Sequence, residues 1–392
     1  MAILGLPDTT NFDSDRFKNW RRTILYAFPN GDAPLTAFLS LCKSEDTNDP
    51  KIYWKEKSLP TQRTTLTASY TNVATVVNVT AAIARPGHIV MNELTGELMK
   101  ITGVSNNGLQ WTVVRGNWVT AAAASSGSAD GITIVGNANA EGGRSPVSLY
   151  NAPSDVFNYI QIFRTPFEMT GTAMNTSLIS DRKGPYRDRM TDALQQHACE
   201  MEKAFIFGEK AEYTNATTGK VERTTGGIIS FLDSTNNIKT PSSNNLTQAL
   251  WDSYLEVAFR VSMNRANEKL ILAGSGFMAN INTIFRGVGR IETVPGEDTF
   301  GIKVKRYESP HGTVFLKSHP LFTQHPVWRY WALIVDLGCL RYRYTQNRDM
   351  RKLVNRQLPD EDLRRDEFMT DCGLEVNHPE ACFLIKDATG TA

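Results

Sequence analysis

Between Tyr186 and about Lys210 the chain carries its longest helical pattern, which narrows the folds open to it. Met190, Leu194, His197, Met201 and Phe205 recur at spacings of four, three, four and four, one apolar stripe over more than two heptads. Gly184-Pro185 opens the pattern, with proline in the first turn where its missing N–H costs nothing, and Gly208 lies near its end as a stop. This is a long, one-sided helix.

The stretch before it differs in character. From about Asp49 to Thr67 Ile52 and Trp54 alternate with Lys51, Tyr53 and Lys55 as in a strand. Residues 69–140 are rich in Val, Thr, Ala, Asn and Gly and poor in charge, with strands expected at Val73–Val79, His88–Met91, Glu97–Val104, Leu109–Arg115 and Ile132–Val135. Asn107-Gly108 predicts a hairpin, since both residues tolerate positive φ. The stretch reads as a small all-β module. Val156–Arg164 is a further strand.

After the long helix, helix and strand alternate. Leu246–Met263 reads as a helix with Leu250, Tyr254, Val257, Phe259 and Val261 as its apolar face. Lys269–Ala273 is a buried strand, Gly276–Phe285 a helix, and Val304–Tyr307, Thr313–Leu316, Trp331–Val335 and Leu340–Tyr344 are strands. The tail beyond Asp387 is expected to be loose. At the other end, a short helix carries Phe17, Trp20, Ile24 and Phe28 on one aromatic face, which needs a partner surface.

Composition excludes some functions. Forty-two basic residues stand against 41 acidic ones for a net charge of +1, without the cationic excess that gives general nucleic-acid affinity. No apolar run approaches the ~18 residues of a membrane span, no signal peptide is visible, and a soluble protein made in a cytoplasm is expected. Cys42, Cys199, Cys339, Cys372 and Cys382 have no metal or redox spacing and read as reduced structural thiols.

No group of residues assembles a catalytic site. Ala273-Gly-Ser-Gly276 stands where a phosphate loop would, but without a following Lys or a ribose-binding acid it reads as a plain strand-to-helix turn. His197, Cys199, Glu200 and Glu202 resolve on a helix into a core-facing histidine beside surface carboxylates. His311, His319 and His325 read as turn and loop histidines, for want of a nucleophile turn. Asp360-Glu361-Asp362 and Asp366-Glu367, interleaved with Arg364 and Arg365, read as a solvated helix face or a salt-linked subunit contact. In Arg341-Tyr-Arg-Tyr344 the arginines share one face of a strand and the tyrosines the other; an edge strand with an arginine-rich interface competes there with nucleic-acid stacking.

The order of these elements resembles the major capsid proteins of tailed bacteriophages with the HK97-like fold, in particular a group with a β insertion in the extended loop. The likeness is carried by Phe28–Phe38 with Tyr53-Trp54 and Glu56; by His88-Ile-Val, Gly96–Val104 and Thr112–Gly116; by Asn158–Ala173; and by Glu202–Gly208 followed by Thr224–Ile229. It implies an α+β fold with an N-terminal arm over 1–45 and an extended loop over 46–160 containing the β module at 69–140. A peripheral domain would take 161–224 and 341–392, with a spine helix at about 186–210, and an axial domain 225–340. The implied function is structural: homo-pentamers and homo-hexamers closing into an icosahedral shell around double-stranded DNA, held non-specifically. Assembly would take place in the host bacterial cytoplasm, and the product is the virion capsid. The portal, a separate scaffold protein if any, and a decoration protein on the β module are the further partners implied; no membrane, cofactor or metal is expected. Subunit contacts are expected at Phe17, Trp20, Trp54, Glu56, Arg341, Arg343, Arg364 and Arg365. The alternatives are a decoration or tail component and, more remotely, an α/β enzyme resting on the Ala273–Gly276 turn.

Overall fold

The computed structural model describes residues 35, 39, 42–116, 122–124, 129–176, 185–263, 267–288, 298–299, 302–303 and 305–391. The expected aromatic helix with Phe17, Trp20, Ile24 and Phe28 lies outside them. The chain forms two compact units: a body of Met1–Trp54 with Val156–Ala392, and an insertion, Lys55–Asp155.

The insertion is a six-stranded antiparallel sheet in the order Arg63–Thr65, Gly131–Asn137, His88–Asn92, Leu98–Val104, Gln110–Val114, Val76–Asn78. Its two end strands meet: Leu66 bridges Val79, and Thr67 N–H donates to the Asn78 carbonyl at 3.0 Å. The sheet thus closes into a small barrel without open edges. Alternation sends Met99, Ile101, Trp111 and Val113 inward with Val77, Val90 and Ile132. A buried ion pair, Glu97–Arg115, lies beside this core, with Arg115 also donating to the Thr71 carbonyl at 2.6 Å.

The expected strand at Val73–Val79 shrinks to Val76–Asn78, and the hairpin at Asn107-Gly108 forms by a different turn. Only Gly108 is left-handed, at φ 74°. Asn107 instead turns its side-chain oxygen back to accept from Leu109 N–H at 3.2 Å, so one left-handed residue suffices. A Cβ on Gly108 would lie 2.4 Å from that of Ala82. Gly108→Ala is therefore expected to cost the barrel about 1–3 kcal/mol, readable in urea unfolding of the full chain.

In the body, Pro185–Phe207 is the long helix, starting on its proline as expected. His197, Met201 and Phe205 are buried, whereas Leu194 is 40% exposed and Ala193 takes its place; Glu202 and Ile206 are buried as well. The reason is the number of layers around the helix. Its first half lies on Phe167 and Phe368 of one sheet, while its last turns are enclosed by residues of two sheets.

The first sheet runs Ser44–Thr47, Leu340–Thr345, Leu363–Val376, Gln161–Thr170, with Arg351–Leu353 pairing the third strand. Two expectations fall here. The charged run around 360–367 enters a long strand rather than a helix face, and Leu340–Thr345 is not an edge, because Ser44–Thr47 pairs with it in parallel. Among the described residues Gln161–Thr170 is an edge of the sheet, which accommodates Pro166.

The second sheet has the order Ile238–Lys239, Phe383–Ile385, Ala332–Val335, Glu268–Ala273, Gly312–Ser318, Lys305–Ser309. Ile271, Ala273, Ile334 and Phe383 face the helices Gln248–Phe259 and Ser275–Val288, while Leu270, Leu272, Leu333 and Leu384 face the core shared with the long helix. Burial on both faces explains the unbroken apolar run after Lys269. The buried face of Gln248–Phe259 is Trp251, Tyr254, Leu255 and Ala258, rotated from the expected one. Those four share the i, i+3, i+4, i+7 stripe with the largest side chain, Trp251. The tail is not loose: Ala388 is buried, its carbonyl accepts from Asn280 Nδ2 at 2.6 Å, and Gly390–Thr391 pairs with Asn245–Leu246.

Candidate functional site

The Ala273–Gly276 turn is filled by the chain itself. A Cβ on Gly274 would lie 2.4 Å from the Arg329 carbonyl oxygen and one on Gly276 2.6 Å from the Tyr330 ring. The glycines admit neighbouring backbone, not a phosphate.

His197 faces the core, as expected, between Thr165 and Thr370. Glu200 is at the surface, but Glu202 is fully buried: its Oε1 accepts from Leu35 N–H at 2.7 Å and lies 2.8 Å from His319 Nε2. His319 is likewise buried, not a loop histidine, because it ends a core strand and opens the helix Pro320–Gln324 under Phe322. His311 sits in a hairpin turn, and His325 stacks on Trp328 at 3.9 Å between centroids. Lys269, 1% exposed, donates from Nζ to the Val261 and Ala381 carbonyls at 2.9 and 2.5 Å; burial lowers its pKa. Cys339, Cys372 and Cys382 are buried, and burial pushes the Cys382 thiol up to about 11. Among the described residues no three His, Cys, Asp or Glu side chains converge as metal ligands.

The concentration of charge lies on the first sheet, where alternation separates two chemistries. Tyr342 and Tyr344 turn to the core beside Phe205, 5.9 Å apart and stacked, and Arg341 and Arg343 turn to the other face. There Arg343 pairs with Glu375 at 2.5 Å and with Glu45, and Arg341 with Glu45 at 3.3 Å. Along the long strand Arg348 pairs with Asp371, Arg164 binds Glu367 at 2.7 Å with Arg356 at 3.5 Å, and Arg365 binds Glu168 at 2.8 Å. The central acids are buried beneath these arginines: the Glu367 side chain is 8% exposed and that of Arg164 50%. Each guanidinium carries five donors, so this face presents N–H groups over its central acids Glu367, Asp371 and Glu375, while Glu45 and Glu168 stay open to solvent. Sequence reasoning missed that layering because the acids and arginines come from strands far apart in the chain. Arg364 points elsewhere, over the Tyr186 ring and 3.2 Å from the buried Asp366.

Trp54 and Glu56 lie on the strand Lys51–Glu56, which pairs with Ser154–Tyr159 in a ribbon of two strands among the described residues. Trp54 is turned inward against Ile52, Ile160 and Phe231. Tyr53, 59% exposed, is on the opposite side, 6.1 Å from Phe157, with Lys51 Nζ 4.1 Å from the Phe157 centroid. Phe17 and Trp20 lie outside the described residues.

Known proteins match this arrangement. A major capsid protein of Pseudomonas phage PaMx41 is 27% identical over 357 residues, 88% of this chain and 83% of that protein. The SrpI encapsulin of Synechococcus elongatus PCC 7942 superposes with a TM-score of 0.50 at 9% identity over 99% of both chains. A capsid chain of cyanophage A-1(L) gives 0.50 at 10% identity, over 97% of this chain and 99% of that one. At such identities these structures establish the fold, α+β and HK97-like. The profile of the SU10 major capsid protein family matches residues 8–389, nearly the whole chain. With that match added to the fold, the chain belongs to the SU10 major capsid protein family and is a structural protein of a phage capsid shell.

Proposed function

We propose that this chain is the repeating subunit of an icosahedral head, closing as homo-pentamers and homo-hexamers around double-stranded DNA, and that it has no catalytic role. The observation that carries this reading is the ribbon Lys51–Glu56/Ser154–Tyr159. Trp54 anchors the inner face of this pair on Ile160 and Phe231, while its outer face leaves Tyr53 exposed beside Phe157. A neighbouring copy would cover that face. We assign the ribbon and the Lys55–Asp155 barrel to the extended loop (46–160), the long helix and the first sheet to the peripheral domain (161–224, 341–392), and the second sheet to the axial domain (225–340), with Ser44–Thr47 of the first sheet and Phe383–Ile385 of the second contributed from outside those ranges. Residues 1–45 are assigned to the arm, with Phe17 and Trp20 in contact with a neighbour. Glu56, Arg341, Arg343, Arg364 and Arg365 are assigned to subunit contacts, with Trp54 holding the ribbon from inside. The portal and a separate scaffold protein are proposed as partners, a decoration protein would bind the barrel, and assembly would run in the bacterial cytoplasm.

Closed particles or capsomers are expected by electron microscopy when the chain is expressed with its scaffold. Tyr53→Asp is expected to cut particle yield at least about tenfold, the effect of losing about 1.4 kcal/mol per contact, with the unassembled subunit keeping its thermal midpoint. A wild-type chain that stays a compact monomer at high concentration overturns the proposal.

A further inference from the structure

His197 sits in a relay of side chains that crosses the contact between the long helix and the first sheet. Its Nδ1 lies 2.9 Å from Thr165 Oγ1, and that hydroxyl is 3.3 Å from Glu200 Oε2. Its Nε2 lies 2.8 Å from Thr370 Oγ1, and that hydroxyl is 3.3 Å from Met350 Sδ. The ring is fully buried, edge-on to Phe163 and tilted against Phe368, each 6.4 Å away. Both ends of the relay reach the surface, at Glu200 and Met350.

We propose that His197 is a proton-operated clasp, which fastens the long helix to the sheet at neutral pH and slackens in acid while keeping both hydroxyl partners. The hydrogen count permits both states. A threonine hydroxyl has one proton to give and can also accept. With the ring neutral, Nδ1–H donates to Thr165, Thr165 donates to Glu200, and the Thr370 hydroxyl donates to Nε2. When a proton adds to Nε2, the new N–H donates to Thr370 and the Thr370 hydroxyl turns to Met350. Nothing else need move. The charge, however, then lies between two phenylalanine rings. Glu200, from the helix, is the charged group that faces it; the strands offer Thr165, Thr370 and the two rings, and the segment before Arg351 offers Met350. Burial lowers the His197 pKa, and Glu200 opposes that in part. A base with its folded-state pKa lowered contributes its full stability above the unfolded-state pKa and loses it as pH falls below that value.

The test is the thermal midpoint of the full unassembled chain at about pH 8 and about pH 5.5. The wild type is expected to fall about 3 °C further on acidification than His197→Gln, whose side chain hydrogen-bonds but does not titrate. Glu200→Gln, which removes the favourable charge, and Thr370→Val, which removes the acceptor for the new N–H, are each expected to widen the fall. An acid fall in His197→Gln equal to that of the wild type overturns the proposal. Should His197→Gln not fold, a wild-type pH dependence in both Glu200→Gln and Thr370→Val overturns it equally.

Discussion

Replacing Asn158 by leucine is expected to destabilise the body by about 3–5 kcal/mol, from the sum of several orphaned backbone groups. Asn158 is completely buried and joins three segments that are distant in sequence. Its Oδ1 accepts from Tyr159 N–H at 2.8 Å and Gly226 N–H at 2.7 Å. Its Nδ2 donates to the Leu374 carbonyl at 2.6 Å, the Gly226 carbonyl at 2.9 Å and Thr225 Oγ1 at 3.2 Å. Leucine has nearly the same shape and none of these bonds, so the loss is a desolvation cost rather than a cavity. Chemical unfolding of the unassembled subunit measures it, and faster amide exchange at Tyr159 and Gly226 locates it. A variant with wild-type stability would mean that the Thr225–Gly226 turn finds other partners.

Glu202→Leu is expected to cost about 3–5 kcal/mol, because it removes a buried acceptor that serves two otherwise buried donors. Glu202 and His319 are both fully buried, and His319 Nδ1 has no hydrogen-bond partner among the described residues. Removing the carboxylate would leave His319 without this bond and the Leu35 N–H without its acceptor. Glu202→Gln keeps an oxygen for one of these donors and is expected to lose less than half as much. The comparison separates the charge from the hydrogen bond, and unfolding by urea at neutral pH reads both variants. Leu35 and Leu39 pack in the same core, so protease cleavage near Leu35 should rise in Glu202→Leu before the body unfolds.

Much of the fold was legible because periodicity reports directly on a buried face. The helix at Pro185–Phe207 and the strands at His88–Asn92, Leu98–Val104, Glu268–Ala273 and Gly312–Ser318 emerge where alternation or the 3.6-residue stripe is strong. It failed where burial was not one-sided. Leu194 and Ala193 exchange places because the helix passes from one sheet to two, and Leu363–Val376 hides a strand because paired charges mask its alternation. Of the candidate contact residues, the division of Arg341 and Arg343 from Tyr342 and Tyr344 followed from strand geometry alone. Their partners did not, since Glu45 and Glu375 come from opposite ends of the chain.

Local pattern alone carried most element types, the order of β insertion, long helix and alternating helix and strand, and with that order the resemblance to a capsid subunit. These are local properties, written in neighbouring residues. Tertiary structure decided which polar groups lie inside: Glu202 against His319, Asn158 at its junction, Lys269 on two carbonyls, and acids under arginines. It also closed the insertion into a barrel through Leu66 and Val79. A polar side chain is buried only where distant segments supply its partners, and no local pattern encodes that supply.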